Sequence, residues 1–158
     1  MTNNQILKPE GTFVIRVYAI IINESNELLI SDEFRLNMKM TKFPGGGMKF
    51  GEGTIDCLKR EAIEEFGQQI EIIDHFYTTD YFQKAKFYEN AQLISIYYRA
   101  FFPGPIRFKI SDKAFDFAEL KNGNMSFRWI QIARLKPDIF TFPVDRKVAG
   151  LISGTNYK

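Results

Sequence analysis

One cysteine, one histidine and one tryptophan occur in 158 residues. A single thiol, Cys57, rules out an internal disulfide framework and suits a reducing compartment, so a cytoplasmic protein is expected. With His75 and Cys57 as the sole imidazole and thiol, a zinc centre lacks its preferred donors. No apolar run approaches the roughly 18 residues of a membrane span, and residues 1–11 lack a basic start followed by an apolar stretch. Acids and bases nearly balance at a net charge of +2, which gives no reason to expect a nucleic-acid polymer as partner. Small anionic ligands fit that balance.

Apolar material is plentiful. Hydrophobic residues make up 45% of the chain, and 16 Phe with 7 Tyr are enough to fill a core, so residues 1–158 are expected to form one globular domain. Phe13, Ile15, Val17, Ala19 and Ile21 recur at period two, opposite a mixed row with Arg16 and Tyr18, which predicts a strand. Residues 23–26 read as a turn, 27–31 as the returning strand, and polar, basic 32–42 as a loop. Further strands are expected at 69–74, at 92–101 and, with Trp129, at 127–132. The 102–126 stretch shows turn signals at Pro103, Gly104, Pro105 and the Asn122-Gly123 pair. Two helices carry end signals. The first runs from Thr54, a suitable N-cap, to Phe66, with Ile55, Leu58, Ala62 and Phe66 on one face and Gly67 as terminator. The second follows Pro143 and carries Val144, Val148, Leu151 and Ile152 at helical spacing. Strands mixed with helices predict an α/β fold, a mixed sheet covered by helices.

Chemistry concentrates between Phe43 and Gly67. Pro44 is followed by Gly45, Gly46 and Gly47, a loop whose bare backbone can approach an anion closely, ahead of a helix N-terminus. A glycine turn alone is a weak signal. Glu61, Glu64 and Glu65, however, sit at i, i+3 and i+4, so their carboxylates project from nearly one side of the helix. Like charges so placed destabilise a helix by roughly 0.2–0.5 kcal/mol per pair unless compensated. A solvated acidic face, paired through Arg60, is one compensation. The other is a hard divalent cation, Mg²⁺ or Mn²⁺, for which carboxylate oxygens are suitable donors. Glu52 and the glycines just upstream favour the second, because anion-binding backbone beside cation-binding carboxylates suits a metal-bridged polyphosphate.

These residues resemble the Nudix box, G-x₅-E-x₇-R-E-U-x-E-E-x-G-U with U a bulky aliphatic residue. Gly46 opens it; Glu52 follows after five residues, Arg60 and Glu61 after seven more, then Ala62, Glu64, Glu65 and Gly67. Ala62 is small for its position, and Gln68 replaces the last aliphatic residue; neither position is a metal ligand in the family. The resemblance is to MutT-like Nudix hydrolases and implies an α/β/α sandwich around a mixed β-sheet. It implies hydrolysis of a phosphoric anhydride in a nucleoside diphosphate linked to another moiety, by attack of water on phosphorus, in a monomer or homodimer. Carried over, Glu61, Glu64 and Glu65 are the metal ligands and catalytic acids, with Glu52 assisting. Arg60 orients them, and Gly45, Gly46, Gly47 and Arg35 contact substrate. Cys57 falls where the family often has a small buried residue.

The general base is a box glutamate or an acid outside it, with Asp116, Glu119 and Glu89 as candidates. Arg16, Lys39, Lys42 and Lys49 are either phosphate contacts or surface charges. Tyr77, Tyr81 and Phe82 are either base-stacking or packing residues, and His75 a surface histidine. Two other readings belong to different classes. A catalytically silent nucleotide or nucleotide-sugar binding module is disfavoured by retention of all four glutamates and Arg60. An isoprenoid-diphosphate isomerase would need a catalytic cysteine outside the box, and Cys57 is inside it.

Overall fold

The computed structural model of the protein describes residues 10–154, so the reading of residues 1–9 as leaderless lies outside the described residues. Seven strands and two helices follow in the order β1 (Thr12–Ile21), β2 (Glu27–Arg35), β3 (Met38–Lys42), β4 (Gly45–Gly47), α1 (Thr54–Phe66), β5 (Glu71–Thr78), β6 (Ala91–Phe101), β7 (Asn124–Gln131) and α2 (Pro143–Ser153). One sheet is mixed, ordered β4-β1-β6-β5, with β1 parallel to β6 and antiparallel to β4. The other is an antiparallel sheet ordered β3-β2-β7. Among the described residues no helix is long and apolar enough to cross a membrane.

Both faces of β1 are covered in its second half. Val17, Ala19 and Ile21 pack with Leu29 under Cys57, Leu58, Ala62 and Phe66 of α1. Tyr18 and Ile20 pack with Leu28, Ile30, Phe43 and Tyr97 against Val144, Val148 and Ala149 of α2. The helices therefore lie on opposite sides of the strands, the sandwich that the sequence resemblance implies. Each fully buried aliphatic side chain here contributes about 1.5–3 kcal/mol relative to exposure.

Several local expectations need correction. Residues 32–42 form a hairpin, with β2 running on to Arg35 and β3 returning through Lys42, turned by Leu36 and Asn37 at φ 51° and 56°. Buried Asp32, Glu33, Thr41 and Lys42 made this segment look like a loop, because their polarity hides the alternation. The helix N-cap is Gly53 rather than Thr54; the Asp56 carboxylate accepts the Gly53 N–H at 3.2 Å. Thr54 instead shares a 2.6 Å hydroxyl hydrogen bond with Tyr98. Ile55 and Leu151 are exposed, and Cys57 takes the place of Ile55 in the buried face of α1. Phe13 is exposed as well, since the core covers only the later part of β1. The fifth strand is Glu71–Thr78, extended because β6 pairs with it through His75 and Tyr77. Strand β7 starts at Asn124, and Ile132 already belongs to a 3₁₀ turn.

Gln68 departs from the aliphatic pattern for a visible reason. It is 4% exposed, and its amide donates to Pro105 O at 3.0 Å and accepts the Arg107 N–H at 3.1 Å. The loop after β6 is thereby pinned behind α1, where Phe102 and Phe108 join Phe66 and Phe127 in an aromatic cluster.

Candidate active site

Gly45–Gly47 is an edge strand rather than a free loop. It pairs with Arg16–Tyr18 of β1, and its glycines are required sterically at two points. Gly45 lies at φ 135°, and a Cβ there would stand 2.1 Å from Val17 O. At Gly46 a Cβ would stand 2.4 Å from the Glu61 carboxyl carbon, so the missing side chain is the space that Glu61 occupies.

Helix α1 crosses this edge and delivers its acids to it. Arg60 is the hub: its Nη1 donates to Glu61 at 2.9 Å and Glu64 at 3.1 Å, and its Nη2 donates to Gly47 O and Glu52 at 3.0 Å each. Its Nε donates to Glu52 as well. The Arg60 bond and the Lys49 N–H hold the Glu52 carboxyl down at about 2. Charged hydrogen bonds of this kind fix carboxylate orientation better than neutral ones. Arg60 thus compensates Glu61 and Glu64 along with Glu52, with Lys49 adding an exposed pair to Glu64 at 3.7 Å.

Glu65 has a different environment. Its side chain is 7% exposed, accepts the Gly45 N–H at 2.9 Å, and faces the Lys42 ammonium at 3.4 Å. Burial pushes its carboxyl up to about 7, while Lys42 and the Gly45 amide pull the other way. Lys42 is itself 4% exposed; it also meets Glu33 at 3.3 Å and donates to Gly45 O at 3.1 Å. Burial disfavours its charge, but Glu65 and Glu33 outweigh that and raise its pKa, so it stays an ammonium. This Glu33–Lys42–Glu65 chain is what sequence reasoning missed. Its signal was the period-two row Ser31, Glu33, Arg35 facing Met38, Met40, Lys42.

Glu61, Glu64, Glu65, Gly45, Gly46 and Gly47 line one cavity of about 380 Å³, with Arg16, Arg35 and Lys42 in its wall. Glu52 lies behind Arg60 and does not line it. Among the described residues no three Asp, Glu, His or Cys side chains stand together as an ion would require; the Glu61 and Glu64 carboxylates pair with Arg60 and that of Glu65 with Lys42.

Other candidates fall elsewhere. Asp116 accepts from Ser111 and Lys109, and neither it, Glu119 nor Glu89 lines this cavity. Tyr77 donates to Asp80, and with Tyr81 it packs against the Lys147 ammonium, away from the glutamates. Phe82 and His75 are exposed. Lys39 lies over the Phe115 ring. Arg16, expected as a surface charge or phosphate contact, is partly buried in the wall and donates to Tyr18 at 2.6 Å. Cys57 is fully buried, and burial raises its thiol to about 11, which denies it a nucleophilic role at neutral pH.

Comparison with curated protein sequences finds no match. Among solved structures, the MutT protein of Methanosarcina mazei Go1 is similar at a TM-score of 0.67 and 19% identity, covering 96% of this chain and 100% of that one. A Nudix hydrolase from Nitrosomonas europaea follows at 0.63 and 18%, covering 91% of each chain. The DNA mismatch repair protein MutT, a Nudix hydrolase of methicillin-resistant Staphylococcus aureus 252, gives 0.58 and 22%, covering 92% and 99%. At these identities the likeness establishes the fold. The NUDIX domain family model matches residues 12–148, nearly the whole described chain. On that match the chain belongs to the Nudix family of pyrophosphohydrolases, which act on nucleoside diphosphate derivatives.

Proposed function

We propose that the protein hydrolyses a phosphoric anhydride in a nucleoside diphosphate linked to a second moiety, by Mg²⁺- or Mn²⁺-dependent attack of water on phosphorus. The carrying observation is the shared cavity: three glutamates of α1 face the glycine edge strand across about 380 Å³. The donor set fits a hard divalent ion. It consists of carboxylate oxygens without thiol or imidazole, and Glu61 reaches the cavity through the space that a Cβ at residue 46 would fill. Glu61, Glu64 and Glu65 would hold the ion, with Glu52 supporting through Arg60. When bound, it neutralises phosphoryl charge and lowers the pKa of water.

The chain's own groups do the positioning. Arg60 keeps Glu61 and Glu64 on the cavity side of the helix and ties both to the Gly47 carbonyl. Lys42 and the Gly45 amide fix Glu65 from behind. Arg35, exposed at the end of β2, and Arg16 bring positive charge to the wall where a diphosphate would lie. Phosphoryl transfer depends chiefly on such positioning and electrostatics. All of this lies within one domain, and the unpaired thiol suits the cytoplasm.

The direct test is phosphate release, through a coupled phosphatase, from a panel of nucleoside diphosphate derivatives and triphosphates with Mg²⁺ or Mn²⁺. Metal-dependent turnover that disappears in Glu64→Gln supports the reading. Absence of turnover by folded, metal-loaded protein would make it a nucleotide-binding module instead.

A further inference from the structure

The glutamate cavity adjoins a larger one of about 600 Å³, and the two share Arg16, Glu33, Arg35 and Lys42 in their walls. Tyr18, Tyr97, Leu93 and Phe142 give the larger cavity apolar and aromatic sides, and its volume suits a small organic group. Its charges do not balance. Arg16, Arg35, Lys42, Lys84 and Lys86 line it against two acids, Glu33 and Asp145.

Both acids are engaged within the fold, although one Asp145 oxygen has no hydrogen-bond partner. Glu33 pairs with Lys42 at 3.3 Å, and Asp145 accepts the Tyr97 hydroxyl at 2.5 Å. Arg35, Lys84 and Lys86 are left exposed, and none forms an ion pair among the described residues; Lys86 lies near only the ring of its neighbour Phe87, at 5.9 Å. The lysines do not ride on a loose loop. Lys84 bridges to Gln92, Leu93 N–H donates to Gln83 O at 2.7 Å, and Ala85 N–H donates to Ala91 O at 2.9 Å. Phe87 meets Phe142 edge-on at 6.3 Å, tying the segment to the start of α2. Lys84 and Lys86 line only the larger cavity, so a diphosphate held by the glutamates does not account for them.

Resting on the anhydride reading above, we propose that the half of the substrate in the larger cavity carries a phosphomonoester of its own, bound by Arg35, Lys84 and Lys86. A guanidinium and two ammonium groups more than neutralise a phosphate dianion and offer donors to each of its oxygens, and unneutralised cations around an apolar-walled cleft focus potential on such a group.

The experiment compares compounds that differ only in one phosphate: ADP-ribose with ADP-ribose 2′-phosphate, NADH with NADPH, and dephospho-coenzyme A with coenzyme A. Affinities are measured calorimetrically with Mg²⁺ on the turnover-blocked Glu64→Gln protein, and kcat/KM on the wild type. At least one phosphorylated member is expected to bind roughly ten-fold tighter or better than its twin. In Lys84→Gln/Lys86→Gln protein that ratio is expected to fall toward one. Equal affinities in all three pairs, no binding of any phosphorylated member, or an equal loss for both members in the double variant would overturn the proposal. A phosphate preference in binding without hydrolysis of any of the six compounds would instead defeat the anhydride reading and leave the phosphate site standing.

Discussion

Replacing Lys42 by Met isolates the charge on which the buried side of the site depends. Methionine keeps most of the apolar stem, so the change removes an ammonium 3.3 Å from Glu33 and 3.4 Å from Glu65 with little loss of packing. Breaking a buried ion pair by removing one partner costs about 3–5 kcal/mol, because the other charge is left uncompensated. The sign of the pH dependence follows from Glu65. Its carboxyl is raised by burial from 4.5 to about 7 even beside Lys42. A carboxyl raised on folding contributes stability that is present below 4.5 and lost as pH climbs through the folded value. Without Lys42 the folded value rises further and the loss deepens on the alkaline side. Urea denaturation of Lys42→Met should therefore show a deficit that is larger at pH 8 than at pH 5 by roughly 1 kcal/mol, the pH unit above 7 over which only the variant keeps losing stability. Adding Glu33→Gln should recover part of the pH 8 deficit. An equal deficit at both pH values would refute the reasoning, since it would mean that the stem and not the charge matters.

Gly46→Ala places a Cβ against the side-chain end of Glu61 rather than against backbone, so the protein should still fold while kcat falls roughly 100-fold; steady-state kinetics beside thermal melts check this. Gly45→Ala meets backbone at φ 135° and should instead fail to yield folded protein, read by circular dichroism of the expressed chain. Glu65→Gln should flatten the decline of metal-free stability between pH 4.5 and about 7, a decline of about 3 kcal/mol at about 1.4 kcal/mol per pH unit, measured by denaturant titration. Cys57→Ala should keep kcat within about two-fold, because the thiol is buried and held protonated near neutral pH.

The box was legible because its residues report locally. Helical spacing alone places Glu61, Glu64 and Glu65 on one side of α1, and Gly67 ends that helix at φ 62° as expected. Strands β1 and β6 showed clean alternation for the same reason. What stayed hidden depends on distant partners. Glu33 and Lys42 look like loop charges until β2 and β3 pair, and only then does each explain the burial of the other. Asp32 is similar: it is fully buried because Arg128, 96 positions away, donates to it. The glycines were expected as an anion-binding loop, yet their edge is partly occupied by Glu65, Lys42 and Arg60. Of the two roles open to Tyr77, packing is the one seen, since it lies against the core cluster under α2. Tyr77 and Tyr81 follow the helix in sequence, but the rings that line the larger cavity, Tyr18, Tyr97 and Phe142 among them, come from three separate elements or their edges.

Isotope tracing of the cleaved bond tests the central claim most directly. A hydrolysable nucleoside diphosphate derivative is turned over in ¹⁸O-water with Mg²⁺, and the products are weighed by mass spectrometry. The account predicts one ¹⁸O per turnover on a phosphate-bearing product, abolished by metal chelation and by Glu64→Gln in folded protein. Label on the non-phosphate moiety, or turnover indifferent to chelation and to Glu64, would contradict it.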